Sequence, residues 1–250
     1  MIMETLDITK IALTKYLFFT GKGGVGKTSI ACATAVGLVD RDKRILLIST
    51  DPASNLQDVF EQELNGHGTD ISGVPGLTVV NLDPEEAAAE YRESVIAPYR
   101  GKLPESVIRN MEEQLSGSCT VEIAAFNQFS DFITDREKQE RYDHILFDTA
   151  PTGHTLRMLQ LPSAWSTFIN ESTHGASCLG QLSGLEERKG VYQQAVKTLV
   201  DPGTTLLVLV SRPDKSPLQE AARSSRELQL LGIENQFLIV NGVLQQADER

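Results

Sequence analysis

The octet Gly21-Lys22-Gly23-Gly24-Val25-Gly26-Lys27-Thr28 constrains this chain more than any other stretch. It fits the spacing G-x-x-x-x-G-K-[ST] and directly follows an apolar, strand-like run, Tyr16–Thr20. Glycines at these positions let backbone N–H groups turn inward toward an anion. A helix opening at the end of the loop presents its positive N-terminus to the same anion. The spacing therefore predicts a strand–loop–helix unit that binds a nucleoside triphosphate through Gly21, Lys22, Gly23, Gly24, Val25, Gly26, Lys27, Thr28 and Ser29. Lys27 is expected at the β- and γ-phosphates, and the Thr28 hydroxyl on Mg²⁺.

The rest of the chain alternates strand-like and helical runs. Strands are expected at Tyr16–Thr20, Arg44–Thr50, Leu77–Leu82, Tyr142–Asp148, Thr205–Ser211 and Gln236–Asn241. A helix is expected from Lys27 to Asp40, and two or three more between Pro84 and Lys138. Leu64–Gly76, rich in Gly, Asn and Asp, reads as a surface loop. This alternation predicts an α/β fold: a doubly wound, mostly parallel sheet with helices on both faces and ligands at the carboxyl ends of the strands. The 250 residues suit one such domain. Asn241-Gly242 leaves a central-looking strand with only eight residues to follow, where a doubly wound domain ordinarily adds more. The domain is therefore expected to be incomplete at its C-terminus.

Composition excludes several classes. A net charge of −11 disfavours broad electrostatic binding to nucleic acid or an anionic membrane, which needs clustered Lys and Arg. No apolar run reaches the ~18 residues of a membrane span, and the N-terminus has no secretory pattern, so a cytoplasmic protein is expected. The three cysteines, Cys32, Cys119 and Cys178, form no C-x-x-C pair and are expected as thiols.

Two acids follow strands. Asp148 ends the run His144–Asp148, the usual place for a carboxylate that holds Mg²⁺. Asp51 follows the second strand in Ser49-Thr50-Asp51-Pro52-Ala53-Ser54-Asn55. By position it suits equally the activation of an attacking water and the capping of the next short helix.

Gly21–Ser29, Ser49–Asn55 and above all Asp148-Thr149-Ala150-Pro151-Thr152-Gly153-His154-Thr155-Leu156-Arg157 resemble the arsenical pump-driving ATPases. Their close relatives are the ATPases that target tail-anchored membrane proteins. The resemblance runs on through Leu115–Phe126, Leu159–Trp165 and Gly175–Gly180, covering about Tyr16 to Val243. It implies the deviant Walker A class of P-loop NTPases, the SIMIBI class. In that class the second lysine of the loop, here Lys22, crosses a subunit interface to the partner's phosphates. The resemblance further implies that Lys22, Lys27 and Asp51 serve catalysis, with Asp51 activating water in a first switch. Asp148 becomes the Mg²⁺-linked acid opening a second switch, and Asn241 the contact to the adenine base.

Cys119, Cys178 and His154 match the family's arsenite- or antimonite-binding positions. Trivalent arsenic and antimony are soft centres that favour thiolate, with imidazole as a secondary ligand. Read without the family, each cysteine is as well explained as a small buried hydrophobe, and Cys32 is read that way outright. His154 and Asp148 share one ten-residue block, so metalloid ligation and γ-phosphate contact are expected to move one segment.

The family's bacterial members resemble two fused halves with sites between them, whereas this chain carries one phosphate loop. The expected partners are thus a second ATPase half or a second copy, an integral membrane arsenite efflux protein and an arsenic metallochaperone. The expected location is peripheral, on the inner face of the membrane. A targeting ATPase for tail-anchored proteins is the alternative; it calls for a large Met- or Leu-rich groove, against only four methionines here. A partition ATPase would favour a basic patch or an amphipathic terminus, and neither is seen.

Overall fold

A computed structural model of the chain describes residues 7, 13–51, 55–149 and 188–243. Seven strands among them build one sheet: β1 (Tyr16–Thr20), β2 (Ile45–Ser49), β3 (Thr69–Asp70), β4 (Leu77–Asn81), β5 (His144–Asp148), β6 (Thr205–Ser211) and β7 (Gln236–Val240). Their order is β3-β4-β2-β5-β1-β6-β7. All pairs are parallel except β3 with β4.

Helices cover both faces, which is why β1, β2 and β6 are buried at every residue. Successive side chains of a strand point to opposite faces, and the core splits accordingly. Leu17, Phe19, Leu47, Leu146 and Val208 pack under Ala31, Ala35 and Leu38 of α1 (Lys27–Val39). Phe18, Ile48, Phe147 and Leu207 pack on the opposite face. They meet Phe126, Phe129 and Ile133 of α5 (Ser118–Thr134), with Tyr192, Ala195 and Leu199 of α7 (Lys189–Val200). Phe18 stacks on Phe147 at 4.5 Å between ring centroids, and Phe129 tilts against both at 5.7 and 5.3 Å. Phe18 and Phe147 lie on β1 and β5, and Phe147 directly precedes Asp148, so this ring cluster packs just behind the strand end that carries the site.

The remaining described helices are α2 (Leu56–Phe60), α3 (Pro84–Ile96), α4 (Glu105–Gln114), α6 (Arg136–Arg141) and α8 (Lys215–Leu230). Local chemistry sets several of their starts. Asp83 accepts from the N–H groups of Glu85 and Glu86 at 2.8 and 3.3 Å, with Pro84 opening α3. Asp135 does the same for Glu137 and Lys138, at 2.9 and 3.3 Å, and begins α6.

The expected doubly wound architecture is found, with three corrections. The stretch read as a loop, Leu64–Gly76, contains β3, whose two polar residues are too few to give a pattern; Thr78 Oγ1 donates to Asp70 Oδ1 across the pair at 2.6 Å. The Pro84–Lys138 region, expected to hold two or three helices, holds four, α3 to α6, and the last runs on to Arg141. β7, expected near the centre, is an edge strand among the described residues, with Phe237 and Leu238 exposed at 37% and 47%. Apolar content alone does not separate an edge strand from a central one.

Candidate nucleotide site

Because β1, β2, β5 and β6 run parallel, their carboxyl ends lie along one rim, and β1 lies between β5 and β6. The phosphate loop leaves β1 at Gly21. A Cβ there would sit 2.2 Å from the Val210 carbonyl oxygen, so only glycine lets the loop start this close to β6. The loop closes at Gly26, which caps α1 with φ near +94° in the left-handed region. Val25 is buried, while Gly23 and Gly24 are exposed at the tip. Lys27 opens the helix and is only 6% exposed.

The β-ladder brings Asp148 to this loop. Asp148 is in register with Phe19 on one side and Ser49 on the other. Thr28 Oγ1 donates to Asp148 Oδ2 at 2.8 Å. The second carboxylate oxygen, Oδ1, is buried and has no hydrogen-bond partner among the described residues. Burial pushes the Asp148 carboxyl up to about 6; the Thr28 hydrogen bond and the Lys27 charge oppose the rise, and the Asp51 charge adds to it. The next residue, Thr149, donates from Oγ1 to the Phe19 carbonyl at 2.8 Å, which ties the start of the Asp148–Arg157 block to β1.

Asp51 stands two residues beyond β2, and its N–H donates to Ser49 Oγ at 3.3 Å. The following helix, α2, starts at Leu56 with Asn55 at the N-cap position. The Asp51 charge is among the influences that raise the Asp148 carboxyl, behind burial.

Lys22 and Asn241 make contacts that the sequence did not announce. Lys22 Nζ donates to Ser216 Oγ in the first turn of α8 at 2.8 Å. Asn241 Nδ2 donates to the Val25 carbonyl at 3.0 Å, and its backbone N–H donates to the Ser211 carbonyl at 2.7 Å. Both side-chain contacts join residues about 200 positions apart, beyond the reach of any local pattern.

The expected metalloid ligands are placed only in part. Cys119 lies in the first turn of α5. His154 and Cys178 lie outside the described residues, as do Pro52, Ala53 and Ser54 of the Asp51 segment. Among the described residues no group of three or more His, Cys, Asp and Glu side chains could hold a metal ion. Cys32 is buried against the sheet on α1, and burial pushes its thiol up to about 12, as suits a packing residue. No helix among the described residues is long and apolar enough to cross a membrane.

The arrangement suits phosphate and Mg²⁺. A glycine loop and a helix N-terminus offer backbone donors, Lys27 adds a cation, and Thr28 and Asp148 offer hard oxygens. Comparisons with known proteins point to an ATPase. The chain is 54% identical to an arsenical pump-driving ATPase of Acidiphilium multivorum, over 93% of this chain and 40% of that protein. It is 52% identical to an arsenical pump-driving ATPase of Escherichia coli, over 95% of this chain and 41% of that protein. It is also 31% identical to ATPase GET3 of Kluyveromyces lactis, over 92% of this chain and 72% of that protein. The chain thus spans about two fifths of the length of these two arsenical pump relatives. The model of the anion-transporting ATPases matches residues 14–250, and the chain belongs to that ATPase family.

Proposed function

We propose that this chain binds and hydrolyses MgATP, and that hydrolysis drives arsenite or antimonite export through an integral membrane partner. The single observation that carries the nucleotide part is the Thr28–Asp148 pair: a 2.8 Å hydrogen bond with a second, buried carboxylate oxygen left over beside it. A buried oxygen of this kind has a cost unless something cationic or protic meets it. Mg²⁺ fits this donor set, since it prefers hard oxygen ligands and keeps several waters. Thr28 and Asp148 would hold it, Asp148 directly or through water. Bound there, it would neutralise charge that develops between the β- and γ-phosphates.

The chain's own groups then divide the work. The loop amides and the N-terminus of α1 hold the phosphates, and Lys27 balances their charge. Asp51 orients the attacking water and takes its proton. Asn241 contacts the base. Lys22 stabilises the phosphates of a facing half or copy, a role for which it would exchange its in-chain contact with Ser216.

For the metalloid, Cys119, Cys178 and His154 are the proposed ligands, completed by groups from the facing half. The names of the relatives support it: two proteins more than half identical to this chain are arsenical pump-driving ATPases. An arsenic metallochaperone delivers the metalloid in this scheme, and the efflux protein holds the ATPase at the inner face of the membrane.

The test is the steady-state rate of phosphate release by the purified chain, with and without antimonite. Turnover that rises with metalloid is expected. An absence of turnover at any protein concentration, alone or mixed with a second half, would refute the proposal.

A further inference from the structure

We infer that Asn241 is a positioning residue of the phosphate loop: its carboxamide holds the Val25–Gly26 peptide in its phosphate-binding orientation before any nucleotide arrives. The inference rests on the nucleotide-binding part of the proposed function and assigns Asn241 a role apart from its contact with the base.

Three observations carry it. The first is the hydrogen bond from Asn241 Nδ2 to the Val25 carbonyl at 3.0 Å. In a trans peptide the carbonyl and the following N–H point in opposite directions. No cis peptide occurs among the described residues. Fixing the Val25 carbonyl toward Asn241 therefore fixes the Gly26 N–H away from it, on the inward side of the loop, where N–H groups of such loops meet phosphate.

The second is steric. A Cβ on Gly26 would lie 2.4 Å from Asn241 Nδ2, and Gly26 also has φ near +94°. The carboxamide thus fills the space that a side chain at position 26 would need. The fit works from both sides: glycine admits the amide, and the amide holds the glycine in its left-handed conformation.

The third is that the amide has a firm base. The Asn241 backbone N–H donates to the Ser211 carbonyl at 2.7 Å, at the carboxyl ends of β6 and β7, where Ser211 is in register with Val240. Gly21, at the other end of the loop, is pressed against the Val210 carbonyl of the same strand. The loop is therefore braced on β6 at its start, and from β6 through Asn241 near its end. One Nδ2 proton is used on Val25; the other, with Oδ1, remains for a base.

The experiment measures affinity for two ligands, ATP and inorganic tripolyphosphate, each with Mg²⁺. It uses the whole chain and its Asn241→Ala and Asn241→Asp variants. Tripolyphosphate carries no base, so a lost base contact cannot change its binding. Asn241→Asp keeps the shape but sets a carboxylate against the Val25 carbonyl in place of a donor. Both variants are expected to weaken ATP and tripolyphosphate together, by about five- to tenfold, the scale of one net hydrogen bond. The nucleotide-free melting temperature monitors folding and is expected to stay well above the assay temperature. Should one variant fail to fold, the other carries the measurement. Weaker ATP binding with unchanged tripolyphosphate binding would overturn the inference and leave Asn241 a base contact only. So would unchanged binding of both. A wild type that binds ATP but not tripolyphosphate would also overturn it, because a loop held ready must accept phosphate without a base. A wild type that binds neither would instead refute the proposed function.

Discussion

Thr28 Oγ1 donates to Asp148 Oδ2 across 120 residues of sequence, and this bond joins the first turn of α1 to the end of β5. The other oxygen, Oδ1, is buried and has no hydrogen-bond partner among the described residues. A carboxylate held this way is tuned for a ligand at the expense of the empty fold.

That tension is measurable through Asp148 itself. Its carboxyl stands at about 6 in the folded chain, against an ordinary value of 3.8. The folded state therefore takes up this proton first as pH falls. Through this group, stability rises as pH drops from about 6 toward 4, and the full penalty stands above about 6. At neutral pH the penalty is at most roughly 3 kcal/mol. Asp148→Asn removes the charge and keeps an acceptor for Thr28. It should raise the nucleotide-free melting temperature at pH 7 by roughly 5 °C and flatten its pH dependence between 4 and 6. The same variant should lose stabilisation by MgATP. Thermal melts across pH, with and without MgATP, check all three.

Asp51→Asn should separate binding from turnover. In the proposed role Asp51 acts on the attacking water rather than on the nucleotide, so its loss should leave ATP affinity within about threefold and lower kcat by about 10²–10⁴, the range of a general base. Equilibrium binding and steady-state kinetics on one preparation distinguish this from a structural defect, which would move both.

Lys22 now has an in-chain partner at Ser216. If it serves the phosphates of a facing half, it must leave that hydroxyl when two faces meet. Specific activity of the wild type should then rise with protein concentration, and Lys22→Ala should abolish that rise while retaining ATP binding. Ser216→Ala should shift the rise to lower concentration by up to about fivefold, because an exposed hydrogen bond contributes about 1 kcal/mol or less. Rates over a hundredfold range of protein concentration provide the readout.

Metalloid stimulation should depend on thiolate. Cys119→Ser and Cys178→Ser should each reduce antimonite stimulation at least tenfold and leave the unstimulated rate within about twofold, since a hydroxyl is a far harder ligand than a thiolate. Cys32→Ser is the internal control: Cys32 is buried on α1, and its replacement should lower stability without changing the stimulation ratio. Antimonite titrations of phosphate release test the three variants side by side.

How much was legible depended on the range of the forces involved. The loop, α1 and β5 could be read because their signals are local: apolar runs, glycines at fixed offsets and an acid at a strand end. The position of Asp148 at the end of β5 is legible for the same reason. β3 was missed because two polar residues carry no periodicity, and its pairing with β4 is a tertiary event. The edge position of β7 was missed because Gln-Phe-Leu-Ile-Val is as apolar as many central strands. The Asn241–Val25 and Lys22–Ser216 bonds join distant positions through the sheet order, which no short window encodes.

The position of β1 between β5 and β6 has a consequence for how the chain emerges from a ribosome. The phosphate loop is made early, yet the strands flanking β1 come some 130 and 190 residues later, and Asn241 follows Val25 by 216 residues. At about 5–20 residues per second, roughly 10–40 s separate synthesis of the loop from synthesis of its brace. Through that interval β1 is an apolar segment without its neighbours, and nucleotide cannot select the folded loop. The loop is thus translated well before the strands and the amide that brace it, and for that period the nascent chain depends on whatever shields Tyr16–Thr20 from other unpaired strands.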